Sequence, residues 1–145
     1  MSEAETFTRP VTILEVEKAL KTFKKDKAPG PDGWTVEFYL HFFDILGPLL
    51  VNMVESSRKM GSVAPSLNST FLALIPKVEH PLSFADFRPI SLCNICYKLI
   101  SKVEALRLKP FLDSSISPQQ FSFLKNRQIL EPIAITQEAL HSVKT

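Results

Sequence analysis

The sequence predicts a mainly helical α+β fold with one or two short strands. Three observations carry that prediction. Apolar residues recur at helical spacing over most of the chain. One compact apolar run, Thr70-Phe71-Leu72-Ala73-Leu74-Ile75, is closed by Pro76. Pro–Gly clusters separate the segments.

Residues 1–10 read as a tail, 11–65 as a helical segment and 66–145 as a second region. Thr12 and Glu15 form a capping-box pair that opens the first helix, with Ile13, Val16, Ala19, Leu20 and Phe23 on its apolar face. That helix is expected to end where Pro29 and Gly30 arrive. Lys27-Ala28-Pro29-Gly30-Pro31-Asp32-Gly33-Trp34 is a stiff loop, because proline fixes φ and glycine admits φ > 0. Thr35 and Glu37 start a helix carrying Phe38, Tyr39, Phe42, Phe43 and Leu46. Gly47-Pro48 is expected to break it and begin another, which ends near Gly61.

Thr70–Ile75 has the length and apolar continuity of a buried strand. Phe87–Leu92 predicts a second short strand, with Pro89 confining it to an edge or a strand end. Such an edge wants partners, so self-association through it is expected. Ile95, Leu99, Ile100, Val103 and Leu106 predict a helix ended by Pro110. A short helix start is expected at Ser117-Pro118 and a last helix over residues 130–143.

With 17 basic and 15 acidic side chains the net charge is only +2, so total charge gives no sign of a self-sufficient nucleic-acid binder. Placement says more: Lys21, Lys24, Lys25 and Lys27 crowd together, as do Lys98, Lys102, Arg107 and Lys109. No apolar run reaches the roughly 20 residues that span a bilayer. The acidic N-terminus lacks the apolar core of a signal peptide, which predicts an intracellular protein, nuclear or cytoplasmic. Cys93 and Cys96 form a CxxC, half of a zinc site or a redox pair. The three histidines are scattered and no other cysteine exists, so packing on one helix face is the expectation.

No adjacent aspartates, DxD, HExxH or GxSxG occur, and no Walker-type glycine loop. Two-metal phosphoryl transfer needs carboxylates converging on paired ions, so no catalytic or metal-binding residue is expected here. Asp32 in Pro-Asp-Gly reads as an Asx-turn former, and Asp86 as a turn cap or a partner for Arg88. Lys77 follows a strand and a proline; Arg88 precedes a proline and is held extended. The pair can grip a triphosphate, lysine as a point charge and arginine as a fork. The plainer alternative is a surface lysine and an Arg88–Asp86 ion pair. Lys24, Lys25 and Lys27 beside Trp34 suit a nucleic-acid backbone with a stacking ring. Their alternative is a solvated helix face and a core tryptophan.

Several motifs follow one another in order: Lys27–Trp34, then Leu74-Ile75-Pro76-Lys77, then Asp86–Asn94, then Tyr97-Lys98 and Arg107-Leu108, then Gln120, Phe123 and Arg127-Gln128-Ile129. Their order and spacing resemble the N-terminal and fingers region of LINE-type (non-LTR) reverse transcriptases, those of plant elements most closely. The resemblance covers the chain from about Phe7 onward. It implies the fingers portion of a right-hand polymerase fold, residues 66–145 being a partial fingers subdomain, without palm sheet or thumb. It implies that Lys77 and Arg88 contact the incoming nucleotide's triphosphate. The Lys27–Trp34 loop, Gln120, Phe123 and Arg127 would then lie near template. RNA template, RNA–DNA hybrid and dNTP are the implied partners, and Mg the metal of the complete enzyme. Ser122 and Asn126 stand where the family commonly has glycine. The chain ends before the family's catalytic aspartates, so a non-catalytic fragment is expected. A nucleic-acid-binding remnant and a helical interaction module are the alternatives.

Overall fold

The capping box expected at the start of the first helix forms. Glu15 N–H donates to Thr12 Oγ1 at 3.3 Å and Thr12 N–H donates to Glu15 Oε2 at 3.1 Å. Two of the free donors of a helix start are thereby satisfied. The computed structural model describes residues 7–117 and 130–144, and helix α1 spans Ile13–Lys21. It ends earlier than the loop prolines predict, with Thr22 as its C-cap.

Helix α2 (Val36–His41) and helix α3 (Phe43–Met60) follow. The sequence places their break at Gly47-Pro48; the structure places it at Phe42 and carries α3 through Pro48. Gly47 is buried where α1 crosses. A Cβ there would lie 3.2 Å from Ile13 Cδ1, so this glycine serves helix approach rather than helix termination. Gly61 ends α3 in the left-handed region at φ 62°, as an αL cap does.

Helices α1, α2 and α3 pack on one another. Val16, Ala19, Leu20, Val36, Tyr39, Leu50 and Val54 form their buried core. Glu55 ties the layer together: it accepts the Val11 N–H at 3.1 Å and takes both Arg58 Nε, at 2.9 Å, and Nη2, at 2.6 Å. The Arg58 guanidinium draws the Glu55 carboxyl pKa down to about 2. A folded pKa below the unfolded value stabilises above the ordinary carboxylate range, and that contribution is lost as pH falls towards 2. Glu55→Gln is therefore expected to lower the thermal midpoint at pH 7 and to flatten its fall between pH 5 and 2, read by circular dichroism.

Strands β1 (Thr70–Pro76) and β2 (Phe87–Cys93) pair antiparallel, with Thr70 opposite Cys93 and Pro76 opposite Phe87. The buried strand that the apolar run predicts is not observed. Phe71 is 58% exposed, Leu72 64% and Ile75 46%, so both faces of β1 are open. Apolar composition drives burial only where a covering layer exists, and a lone two-stranded ribbon supplies none.

Helix α4 (Ile95–Ser115) passes through Pro110 instead of stopping there. The proline sits exposed and forfeits only the bond to the Leu106 carbonyl. Ile95, Leu99, Ile100 and Val103 are buried. Cys93 ends β2 while Cys96 lies in the first turn of α4, so the two cysteines do not share one helix face as expected. Cys93 accepts from Thr70 Oγ1 at 3.2 Å, and Cys96 pairs with the Tyr39 hydroxyl at 3.3 Å.

The described residues fall into two compact units. The first spans Thr8–Ala105 and holds everything from α1 to the first half of α4. In the second, Phe7 meets the Phe111 ring edge-on at 5.9 Å and accepts Arg107 Nη1 at 3.4 Å through its carbonyl. Helix α5 (Leu130–Lys144) also belongs to it. No helix among the described residues is long and apolar enough to cross a membrane.

A candidate nucleic-acid and phosphate-contacting surface

The β1–β2 register fixes the relation of Lys77 to Arg88. Ile75 lies opposite Arg88, and directly opposed residues share a face. The Lys77 N–H donates to the Asp86 carbonyl at 2.7 Å, which carries the ladder one step past the strand end. Alternation then puts Lys77 on the face of Ile75, and so on the face of Arg88. Lys77 Nζ donates to the Ala85 carbonyl at 2.7 Å. Ammonium has three donors, so two remain for a ligand.

The alternative ion pair does not form. The Asp86 carboxylate accepts the Ser83 N–H at 2.9 Å, the Leu82 N–H at 3.0 Å and Ser83 Oγ at 3.2 Å. Those bonds, the Ser83 amide foremost, hold its pKa below the usual value and commit it to capping the short 3₁₀ turn Phe84–Asp86. Arg88 is exposed and free of any ion pair among the described residues. An arginine fork and a two-donor ammonium thus sit on one ribbon face, which suits phosphate oxygens.

The Lys27–Trp34 loop is built from local bonds. Gly33 N–H closes a turn onto the Gly30 carbonyl at 3.0 Å, with Pro31 and Asp32 at its centre. Asp32 Oδ1 accepts the Trp34 N–H at 3.1 Å, the Asx turn that Pro-Asp-Gly predicts. Asp26 adopts φ 56° and donates its N–H to Glu37 Oε1 at 2.7 Å. The carboxylate's bond to its own N–H, and then that from Asp26, hold Glu37 below the usual carboxylate pKa.

Trp34 is not a core residue. It is 48% exposed and stacks on Phe38, with ring centroids 4.1 Å apart and planes 26° apart. Phe38 in turn meets Phe42 at 5.1 Å. The four-residue spacing of Trp34, Phe38 and Phe42 is a helical stacking signal that was readable in the sequence. Lys24, Lys25 and Lys27 are all exposed in the same loop, whereas Lys21 pairs with Glu17 at 2.5 Å. Exposed lysines beside an exposed indole combine backbone attraction with base stacking.

The two groups are not brought together. The loop docks at the opposite end of the ribbon, where Gly30 lies against the Cys93–Asn94 backbone. Asn94 stands six positions beyond Arg88, which in extended chain is about 20 Å. Gln120, Phe123 and Arg127 lie outside the described residues, as do Ser122 and Asn126. The residue that sequence reasoning left without a role is Asn94, which is 4% exposed and receives the Asp32 N–H on its Oδ1 at 3.1 Å.

Burial raises the pKa of the Cys96 thiol and of the Tyr39 hydroxyl, which favours their protonated forms. Among the described residues no three His, Cys, Asp or Glu side chains group so as to hold a metal ion. The described residues do not fit a magnesium centre.

No protein-family model matches the chain. Over 137 residues it is 33% identical to "Transposon TX1 uncharacterized 149 kDa protein" of Xenopus laevis, covering 94% of this chain and 10% of that protein. Over 103 residues it is 28% identical to the retrovirus-related Pol polyprotein from type-1 retrotransposable element R2 of Bradysia coprophila, covering 71% of this chain and 11% of that one. The chain thus spans 10% and 11% of the length of these curated relatives. Its homologues are transposon and retrotransposon proteins, one of them Pol-related.

Proposed function

We propose that this chain is the fingers-side portion of an RNA-directed DNA polymerase of the LINE type, similar to those of plant elements. It contacts nucleotide and template and does not catalyse on its own. The observation that carries the reading is the shared ribbon face of Lys77 and Arg88, with Asp86 engaged elsewhere. The homology to a Pol-related retrotransposon protein supports it. Lys77 and Arg88 hold the phosphates of an incoming dNTP and, where none is bound, take backbone phosphates of a hybrid through the same charge-assisted contacts. Lys24, Lys25, Lys27 and Trp34 hold the template or an RNA–DNA hybrid, and Gln120, Phe123 and Arg127 join them. The metal chemistry belongs to carboxylates that no cluster among the described residues provides. An intracellular setting, nuclear or cytoplasmic, goes with this reading. A second reading, self-association through the ribbon, is favoured by the exposed Phe71, Leu72 and Ile75.

Titrating the chain into dNTP and following the phosphorus resonances tests the nucleotide arm. A dissociation constant on the order of millimolar is expected from two exposed charge-assisted contacts. Unchanged resonances at the highest protein concentration would remove Lys77 and Arg88 from nucleotide binding. In parallel, primer extension with added magnesium is expected to stay at the blank. Extension above it would overturn the non-catalytic assignment.

A further inference from the structure

Asn94 stands immediately before helix α4, and its backbone carbonyl accepts the Lys98 N–H at 3.1 Å, the bond of an N-cap residue. An asparagine in that place ordinarily turns its side-chain oxygen onto the amides of its own first turn. Here the oxygen is spent on the Asp32 N–H, 62 residues away in sequence. The amide nitrogen points the other way, to the Leu67 carbonyl at a long 3.5 Å. Only the oxygen accepts and only the nitrogen donates, so the two contacts fix the amide's orientation. The side chain is buried, and none of its atoms is left without a partner.

Gly30 makes the approach possible. A Cβ at this position would meet Asn94 Oδ1, would fall 2.5 Å from Asn94 N and would fall 2.6 Å from the Cys93 carbonyl carbon. Three segments therefore converge on one amide: the Gly30–Gly33 turn, the approach to β1 at Leu67, and the junction of β2 with α4. The turn leads into Trp34, β1 leads to Lys77 and β2 carries Arg88, so all three connect to the proposed ligand contacts.

We infer that Asn94 is a positioning residue that locks the Lys27–Trp34 loop to the base of the ribbon. It holds the loop's nucleic-acid contacts in a fixed register with Lys77 and Arg88. It touches no nucleic acid itself. The locking is a property of the free chain; the register it imposes on a ligand rests on the function proposed above.

Trp34 is the only tryptophan, so its fluorescence reports the loop without any label. In the unaltered chain, the Asp32 amide is expected to exchange with deuterium at least roughly tenfold more slowly than a free loop amide, since its donor is bonded in a buried place. Exchange at the free rate would overturn the lock without any variant. Asn94→Ala is expected to raise acrylamide quenching of Trp34. Val54→Ala, a cavity in the helical core far from the loop in sequence, is expected to destabilise while leaving quenching unchanged. Equal quenching in Asn94→Ala and the unaltered chain, both folded by circular dichroism, would overturn the lock as well.

The register is read by coupling. Arg88→Ala is expected to weaken RNA–DNA hybrid binding roughly tenfold in the unaltered chain and less than about threefold in an Asn94→Ala background. An equal loss in both backgrounds would reject the register while leaving hybrid binding intact. If the unaltered chain binds no hybrid, the proposed function fails, and the quenching and exchange results still decide the lock.

Discussion

Gly30→Ala is expected to be strongly destabilising to the first unit. Its new Cβ falls 2.5 Å from a backbone nitrogen and 2.6 Å from a carbonyl carbon, neither of which is the end of a flexible side chain. The loop must lift from the strand–helix junction, and Asn94 then loses the Asp32 amide. Overpacking of this severity costs about 3 kcal/mol, which for a unit of this size lowers the melting midpoint by roughly 15 °C. Gly33→Ala is the matched comparison. Nothing lies within 4 Å of its Cβ, and only the φ of +75° is unfavourable, for about 1 kcal/mol. Thermal unfolding of the two variants side by side checks the ranking. If Gly33→Ala is the worse of the two, Gly30 is not held against the Cys93–Asn94 backbone in solution.

Replacing Lys77 and Arg88 together by alanine is the second large effect, and it falls on binding rather than on stability. Both residues are exposed, and Lys77's bond to the Ala85 carbonyl lies at the surface. The midpoint should therefore move by no more than about 0.5 kcal/mol's worth. Charge-assisted contacts to phosphate are stronger than neutral ones, so each loss should weaken hybrid binding by roughly tenfold at low salt. The dependence of log affinity on log salt should become shallower by about one per residue removed. Filter binding at several salt concentrations reads both numbers. A double variant that binds as well as the unaltered chain would place the phosphate contacts elsewhere.

Local chemistry was legible in the sequence, and long-range contact was not. The Thr12–Glu15 box, the Asx turn of Asp32 and the αL end at Gly61 involve residues at most a few positions apart, and each forms as its residue types require. The prolines misled because proline forbids a hydrogen bond rather than a helix. Pro48 and Pro110 each forfeit one bond within helices that otherwise continue. Gly47 read as a breaker for the same local reason, although its role is to admit Ile13 from another helix. Thr70–Ile75 read as buried because periodicity reports apolar content and not the presence of a covering layer.

The candidate site divides along the same line. Lys77 and Arg88 were recognisable from their fixed backbone settings, and the antiparallel register explains why they share a face. Trp34 had two possible roles, and its stacking on Phe38 with half the residue exposed removes the core alternative. Asn94 carried no local signal at all. Its importance lies in a contact to Asp32 across 62 residues and in a glycine whose missing side chain makes room for it.

On the proposed function the chain contacts nucleic acid through two basic elements, the lysines beside Trp34 and the Lys77–Arg88 end of the ribbon. Fluorescence polarisation of a labelled RNA–DNA hybrid, titrated with the purified chain from low to physiological salt, tests it most directly. Saturable binding that weakens steeply as salt rises is expected, with Trp34 emission changing along the same curve. A flat titration at the lowest salt, from a chain that circular dichroism shows to be folded, would contradict it.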